Sequence, residues 1–228
     1  MILDNMTLEE VGMSLLRTAR ENKERFNRLV IHRQKKYRRI VLKRKDKKAD
    51  FAPIHSEAEK VDFYICPFYF DKRRGMFTNL IASFKYKKKQ YYCLFCKFDT
   101  IACIVTTHFL ERFAERHLKD DNPVGISTLR LYLRAIHFTW NPEIVKHPYY
   151  DNRFVAGTHI GVCCGYKISD NIYILKTFID QETIDFGDKK RIFDESAGVL
   201  SKIELDCHGR EKLPTELLEL AESACEFA

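Results

Sequence analysis

Ile101-Ala102-Cys103-Ile104-Val105-Thr106-Thr107-His108-Phe109-Leu110-Glu111-Arg112-Phe113-Ala114-Glu115-Arg116-His117-Leu118 changes its hydrophobic period halfway along. Ile101 to Val105 is a short unbroken apolar run with branched residues, the pattern of a buried strand. From Thr107 onward the period is helical. At about 100° per residue, Phe109, Leu110, Phe113, Ala114 and Leu118 share one arc, and His108, Glu111, Arg112, Glu115, Arg116 and Lys119 share the opposite one. Thr107, at the junction, is placed to cap the helix, whose first amides make a natural anion site. A strand running straight into an amphipathic helix requires a sheet and a helix layer that share one core.

The neighbouring segments extend this pattern in both directions. Upstream, Val61–Cys66, Thr78–Phe84 and Tyr91–Cys96 are rich in aromatic and branched residues and read as strands, with Lys87-Lys88-Lys89-Gln90 as the exposed turn of a hairpin. Downstream, helices are expected over about 108–119 and 127–138, parted by Asp120-Asp121-Asn122-Pro123. A second hairpin is expected from Val155–Ile168 and Ile172–Ile179 around Ser169-Asp170-Asn171. Thr7-Leu8-Glu9-Glu10 fits a capping box, so one or two helices are expected over 7–48, and 49–60 reads as a linker around Pro53. Pro214-Thr215 opens a last acidic helix. The expected class is α+β: a small antiparallel sheet packed against helices. Three segments are expected, a basic helical arm over 1–50, an α+β core over 51–190 and an acidic C-terminal segment over 191–228.

The chain has 228 residues, enough for one large domain or two small ones. Its 45% apolar and 31% charged composition excludes a disordered or fibrous protein. No apolar run approaches a membrane span, and Met1 to Glu10 lacks the form of a secretory leader. Eight cysteines, most in strand-like runs, point to a reducing cytoplasm rather than a disulfide scaffold.

Charge is unevenly spread. Residues 1–50 hold 15 basic and 7 acidic side chains, whereas 179–228 hold 6 basic and 13 acidic. The densest basic run contains Arg33, Lys35, Lys36, Arg38, Arg39, Lys43 and Arg44, and a separate cluster is Lys87, Lys88 and Lys89. Such clusters attract phosphate backbones through Coulomb forces and counterion release, so they are the expected nucleic-acid contacts, with RNA favoured over DNA. Tyr86, Tyr91 and Tyr92 beside the lysine turn offer rings for base stacking, or pack into the core. A solvated helix face is the bland reading of the same charges.

The polar arc of the 108–119 helix carries an imidazole, carboxylates and guanidiniums. Phosphodiester cleavage needs a base, an acid and fixed positive charge. His108 or Glu111 would transfer protons, and Arg112 and Arg116 would hold phosphate. The alternative is a helix laced by Glu–Arg pairs, each worth only about 0.2–0.5 kcal/mol.

The strand followed by Thr107-His108-Phe109-Leu110-Glu111-Arg112-Phe113-Ala114-Glu115-Arg116-His117 resembles the His-x-x-x-Arg-x-x-x-Arg helix of small bacterial and phage proteins related to the RelE/barnase-like ribonuclease superfamily. Gly157-Thr158-His159-Ile160-Gly161-Val162 and Ile174-Leu175-Lys176-Thr177-Phe178-Ile179 are similar to the terminal hairpin of uncharacterised relatives. The resemblance spans about residues 100–185. It implies an α+β fold and metal-independent RNA cleavage, with His108, Arg112, Arg116, Lys176 and Thr177 as the carried-over site. The N-terminal arm and acidic tail depart from a compact toxin of that type.

Cys93-Leu94-Phe95-Cys96 has zinc half-site spacing, but its flanks read as strand and no matching second pair follows, so neither metal nor cofactor is expected. The functional expectation is a cytoplasmic nucleic-acid-binding protein acting as a metal-independent endoribonuclease of toxin, phage or mobile-element type. Its rivals are a non-catalytic RNA- or DNA-binding accessory protein and a charge-driven adaptor that meets a protein partner through the acidic C-terminal segment.

Overall fold

Thr7 caps the first helix from both sides. Its hydroxyl accepts the Glu10 backbone N–H at 3.2 Å, and the Glu10 carboxylate accepts the Thr7 N–H at 2.7 Å, the reciprocal pair that the Thr-x-x-Glu spacing predicts. The computed structural model describes residues 2–43, 49–71, 75–96, 100–119, 125–136, 141–144, 152–184 and 189–194. These form two compact units, one running to Cys103 and the other beginning at Ile104. The class is α+β, with antiparallel strand pairing in both units.

The first unit begins with α1 (Leu8–Glu21) and α2 (Lys23–Leu42). Val11, Leu15, Leu16 and Ala19 form the buried stripe of α1, and Phe26, Val30, Tyr37 and Val41 that of α2. Both stripes recur at helical spacing, so the basic N-terminal segment presents an apolar face to its own unit. Phe26 lies 5.1 Å from the Phe63 ring, and Tyr37 stacks at 4.0 Å on Phe51. The strands are β1 (Ala49–Asp50), β2 (Ile54–Ala58), β3 (Val61–Asp71), β4 (Gly75–Tyr86) and β5 (Lys89–Cys96). β2 and β1 pair with successive halves of β3, whose other edge takes β4, and β4 pairs with β5.

The expected linker over 49–60 is therefore corrected: it contains β1 and β2. Ile54, Ser56 and Ala58 point inward and His55 and Glu57 outward, an alternation muted by the small size of two inward residues. Its turn, Glu59-Lys60, takes positive φ at both residues (49° and 64°) without the glycine or asparagine that normally marks such a hairpin. Lys87-Lys88 makes the same turn (48° and 64°), where the basic hairpin tip was expected.

In the second unit, α3 (Thr107–Phe113) continues as a single π-helical turn (Ala114–Leu118) and ends at Lys119, which is left-handed at φ 55°. α4 (Gly125–Ile136), β7 (Asn141–Ile144), β8 (Arg153–Thr158), β9 (Gly161–Ser169) and β10 (Ile172–Asp180) follow. β9 pairs with β8 on one edge and β10 on the other, and β7 lies beyond β8. The segment expected as one strand from Val155 to Ile168 is thus two, turning at His159-Ile160. The division between the units falls inside β6 (Ile101–Thr106). The helix side of the second unit is an aromatic cluster in which Phe109, Phe113, Tyr132 and Phe178 meet edge to face at 5.1–6.4 Å. Each such pair adds about 0.5–1.5 kcal/mol beyond the area it buries. Val155, Val162, Cys164, Ile184 and Ile192 form a second buried cluster.

The expected acidic C-terminal helix near Pro214 lies outside the described residues.

Candidate functional site

The helix cap falls one residue earlier than expected. Thr106, not Thr107, is the N-cap: its oxygen accepts the Phe109 N–H at 3.2 Å while its hydroxyl donates to the Leu175 carbonyl at 3.1 Å. That pair of bonds ties the start of α3 to β10. Along the exposed side of α3 His108 and Arg112 each have a carboxylate one turn on. His108 Nδ1 is 3.6 Å from Glu111, and the Arg112 guanidinium is 2.6 Å from Glu115. Four of the expected polar-arc residues therefore lie on one exposed face, joined in i,i+3 pairs.

Arg116 leaves that face. Its guanidinium donates to the Phe178 carbonyl of β10 at 2.5 Å. The π turn is the physical cause: one wide turn shifts the phase of every later side chain relative to a regular α-helix. His117, on the apolar arc one turn beyond Phe113, also points inward, with Nδ1 3.0 Å from the carboxylate of Asp180, whose side chain is only 6% exposed. The imidazole stacks on Phe113 at 5.3 Å and meets Phe178 edge-on at 6.2 Å. Sequence reasoning missed this pair, although His117 lies at i+4 from Phe113, on the apolar arc, where a polar ring needs a partner.

Lys176 is exposed at the bulge between Leu175 and Thr177 on β10, and Thr177 is half-buried opposite Cys164. Cys93 is fully buried within β5, and among the described residues no three His, Cys, Asp or Glu side chains gather as a metal site.

α2 differs from α3 in its charges. Between Arg25 and Lys45 the sequence has no acidic residue. Arg28, His32, Lys35, Lys36, Arg39 and Lys43 are all exposed and fall within about 100° of arc, opposite Phe26, Val30, Tyr37 and Val41. Over this stretch the stripe spans about 22 Å at 1.5 Å per residue. Arg25 heads it, with its guanidinium donating to the Glu57 carbonyl oxygen at 3.2 Å. Of the cations expected from sequence, Lys35, Lys36, Arg39 and Lys43 belong to the stripe, Arg33 and Arg38 flank it, and Arg44 lies outside the described residues. Arg28 and His32 were not expected. Their spacing from Lys35 was the available signal, hidden because the run looked continuous only from Arg33.

At the β4–β5 tip Lys87, Lys88 and Lys89 are exposed. The Lys87 N–H donates to Asp4 at 2.7 Å and its ammonium lies 5.0 Å above the Tyr86 ring. A hydrogen bond to Tyr86 holds the Lys87 ammonium above its ordinary pKa. Tyr86 is buried with its hydroxyl on the Met6 carbonyl at 2.6 Å, and Tyr92 is buried too, leaving only Tyr91 part-exposed against Phe84.

Among the described residues no helix is long and apolar enough to cross a membrane. No family profile, curated protein or solved structure matches this chain.

Proposed function

We propose that this protein binds nucleic acid, with RNA as the first ligand to test, through the exposed stripe of α2. The carrying observation is the contrast between two helices of one chain. On α3 His108 and Arg112 are each matched by a glutamate within a turn. Along α2, cations succeed one another at i,i+3 and i,i+4 with no carboxylate between Arg25 and Lys45. Like charges at that spacing cost about 0.2–0.5 kcal/mol per pair, a penalty that a bound polyanion relieves. A solvated face needs no such arrangement.

The α2 apolar face is already committed to Phe63 and Phe51, and among its described residues the one exposed large apolar side chain, Ile31, is not the broad face that enters a bilayer. That favours a phosphate backbone over a lipid surface. RNA cleavage is a second reading, supported by the His117–Asp180 pair described above.

The test is charge reversal of Lys35, Lys36, Arg39 and Lys43 to Glu, with fluorescence anisotropy on single- and double-stranded RNA and DNA. Binding falls by more than tenfold on every sequence alike, because backbone contacts carry no base information. A control variant reversing Lys60, Lys85, Lys167 and Lys190 changes binding far less. Equal losses in the two variants reduce the effect to net charge and reject α2 as the site.

A further inference from the structure

We propose that His117 is a proton-transfer residue acting on RNA, with Asp180 as its positioning residue. The proposal rests on the nucleic-acid reading for its substrate class. It differs from the sequence expectation, which gave that role to His108 or Glu111.

The geometry favours His117 in three respects. Its Nδ1 is anchored at 3.0 Å on a carboxylate that is itself buried, and among the described residues nothing is bonded to Nε2. A carboxylate on one ring nitrogen fixes the tautomer and leaves the other nitrogen as the base. The ring cannot swing, because Phe113 stacks on it and Phe178 closes its edge. It still reaches solvent, being 28% exposed. His108, by contrast, is 55% exposed and lies 3.6 Å from an exposed glutamate, without comparable support.

The surroundings supply the rest of the chemistry. Arg116 spends one N–H on the Phe178 carbonyl, and a guanidinium has five donors, so its fork retains donors for a phosphate. Both residues sit on a π turn, a feature frequent at functional sites. Among the described residues one charged group is bonded to the imidazole. That group is Asp180 of β10; Arg116 is the preceding residue of the same turn, and Lys119, just after the turn, pairs at 3.4 Å with Glu182 of the short turn after β10. From α3 the Phe113 ring stacks on it.

In the step proposed, His117 Nε2 accepts the proton of a ribose 2′-hydroxyl. The 2′-oxygen attacks the adjacent phosphorus, the bond from phosphorus to the 5′-oxygen breaks, and the departing oxygen takes a proton from water. The hydroxide left behind is neutralised by the imidazolium. The products are a 2′,3′-cyclic phosphate and a 5′-hydroxyl, with no net consumption of water.

The experiment uses the purified full chain, EDTA and a mixed-sequence single-stranded RNA, beside a fully 2′-O-methylated copy that reports binding without cleavage. Wild type is expected to cleave the first and not the second. His117→Gln lowers the rate at least a hundredfold, the scale of a general base. Asp180→Asn, which keeps the oxygen that accepts the Glu182 N–H, lowers it at least tenfold and moves the acid limb of the pH–rate profile. His108→Gln stays within threefold of wild type. A parallel measurement on unmutated protein covers the case in which His117→Gln unfolds: diethyl pyrocarbonate modification at His117, mapped by mass spectrometry, tracks loss of cleavage one to one. Absence of cleavage by a wild type that binds the 2′-O-methyl strand overturns the proposal and leaves the binding reading standing. Cleavage that survives His117 modification overturns it as well. Cleavage together with binding indifferent to the α2 reversals overturns the binding site instead.

Discussion

Gly165 on β9 is the position where one added methyl group should do the most damage. A Cβ built there would lie 2.9 Å from the carbonyl carbon of Ile174, closer still to its oxygen, and 3.2 Å from the Phe154 ring. The first two atoms are backbone of the neighbouring strand, so no rotamer change relieves the contact. The pairing shifts register between Leu175 and Thr177, and the Gly165 contact with Ile174 lies directly before that bulge, which leaves Lys176 exposed. Overpacking a core costs about 1–3 kcal/mol where side chains can adjust. Here backbone must move, so Gly165→Ala should cost about 3 kcal/mol. At about 2–4 °C per kcal/mol for a chain of this size, the melting temperature should fall by about 6–12 °C. Differential scanning calorimetry and urea unfolding followed by far-ultraviolet circular dichroism read the two quantities independently. A loss below about 1 kcal/mol would refute the close approach of β9 to β10, and with it the register that places Asp180 beside His117.

Three further outcomes follow from local chemistry. Thr7→Ala removes the hydroxyl cap of α1 and should cost about 1 kcal/mol in urea titration. The Thr7 backbone N–H, and then its hydroxyl, hold the Glu10 carboxyl below its ordinary pKa. That stabilisation is complete above the ordinary carboxylate range and disappears as pH falls through the lowered folded value, so Glu10→Gln should flatten this part of the acid limb in pH-dependent melts. Burial pushes the Cys163 thiol far up, against a smaller opposing hydrogen bond from the Tyr132 hydroxyl at 2.9 Å. Cys163 should therefore resist iodoacetamide in the native protein and alkylate on unfolding, read by peptide mass spectrometry; native labelling at the unfolded rate would contradict its burial.

Elements with strong periodicity or a dedicated cap could be read from the sequence. The Thr7 box, the helical span over 8–42, the Lys87-Lys88 turn and the strand–helix passage at Thr106 all combine a local signal with a change of period. What escaped reading lacked such a signal. β2 turns on Glu59-Lys60, residues with no intrinsic preference for positive φ, and Pro53 drew attention to a break rather than to the strand that begins after it. The β8–β9 turn at His159-Ile160 interrupts an apolar stretch whose only mark is Gly161 at φ 153°. At the candidate site the failure was geometric. A helical wheel assumes a constant 100° per residue, and the π turn breaks that assumption at Ala114, so Arg116 leaves the polar arc for β10, whereas His117 stays on the apolar side where the wheel puts it. The partner Asp180 is 63 residues away in sequence, beyond the reach of any local pattern. The α2 stripe was half visible: the basic run was plain, but its one-sidedness needed the buried positions Phe26, Val30, Tyr37 and Val41 to define the opposite face.

The salt dependence of RNA binding tests the central claim most directly. If the five Lys and Arg side chains of the α2 stripe each displace a counterion, log K against log salt should have a slope of about −3.5 on single strands and about −4.5 on duplex, by the B-DNA coefficient. Substituting Lys35, Arg39 and Lys43 by Gln should make the slope shallower by about 0.7 per cation on single strands, or about 2 in all. A wild-type slope near zero, or one that the triple substitution leaves unchanged, would contradict binding through α2.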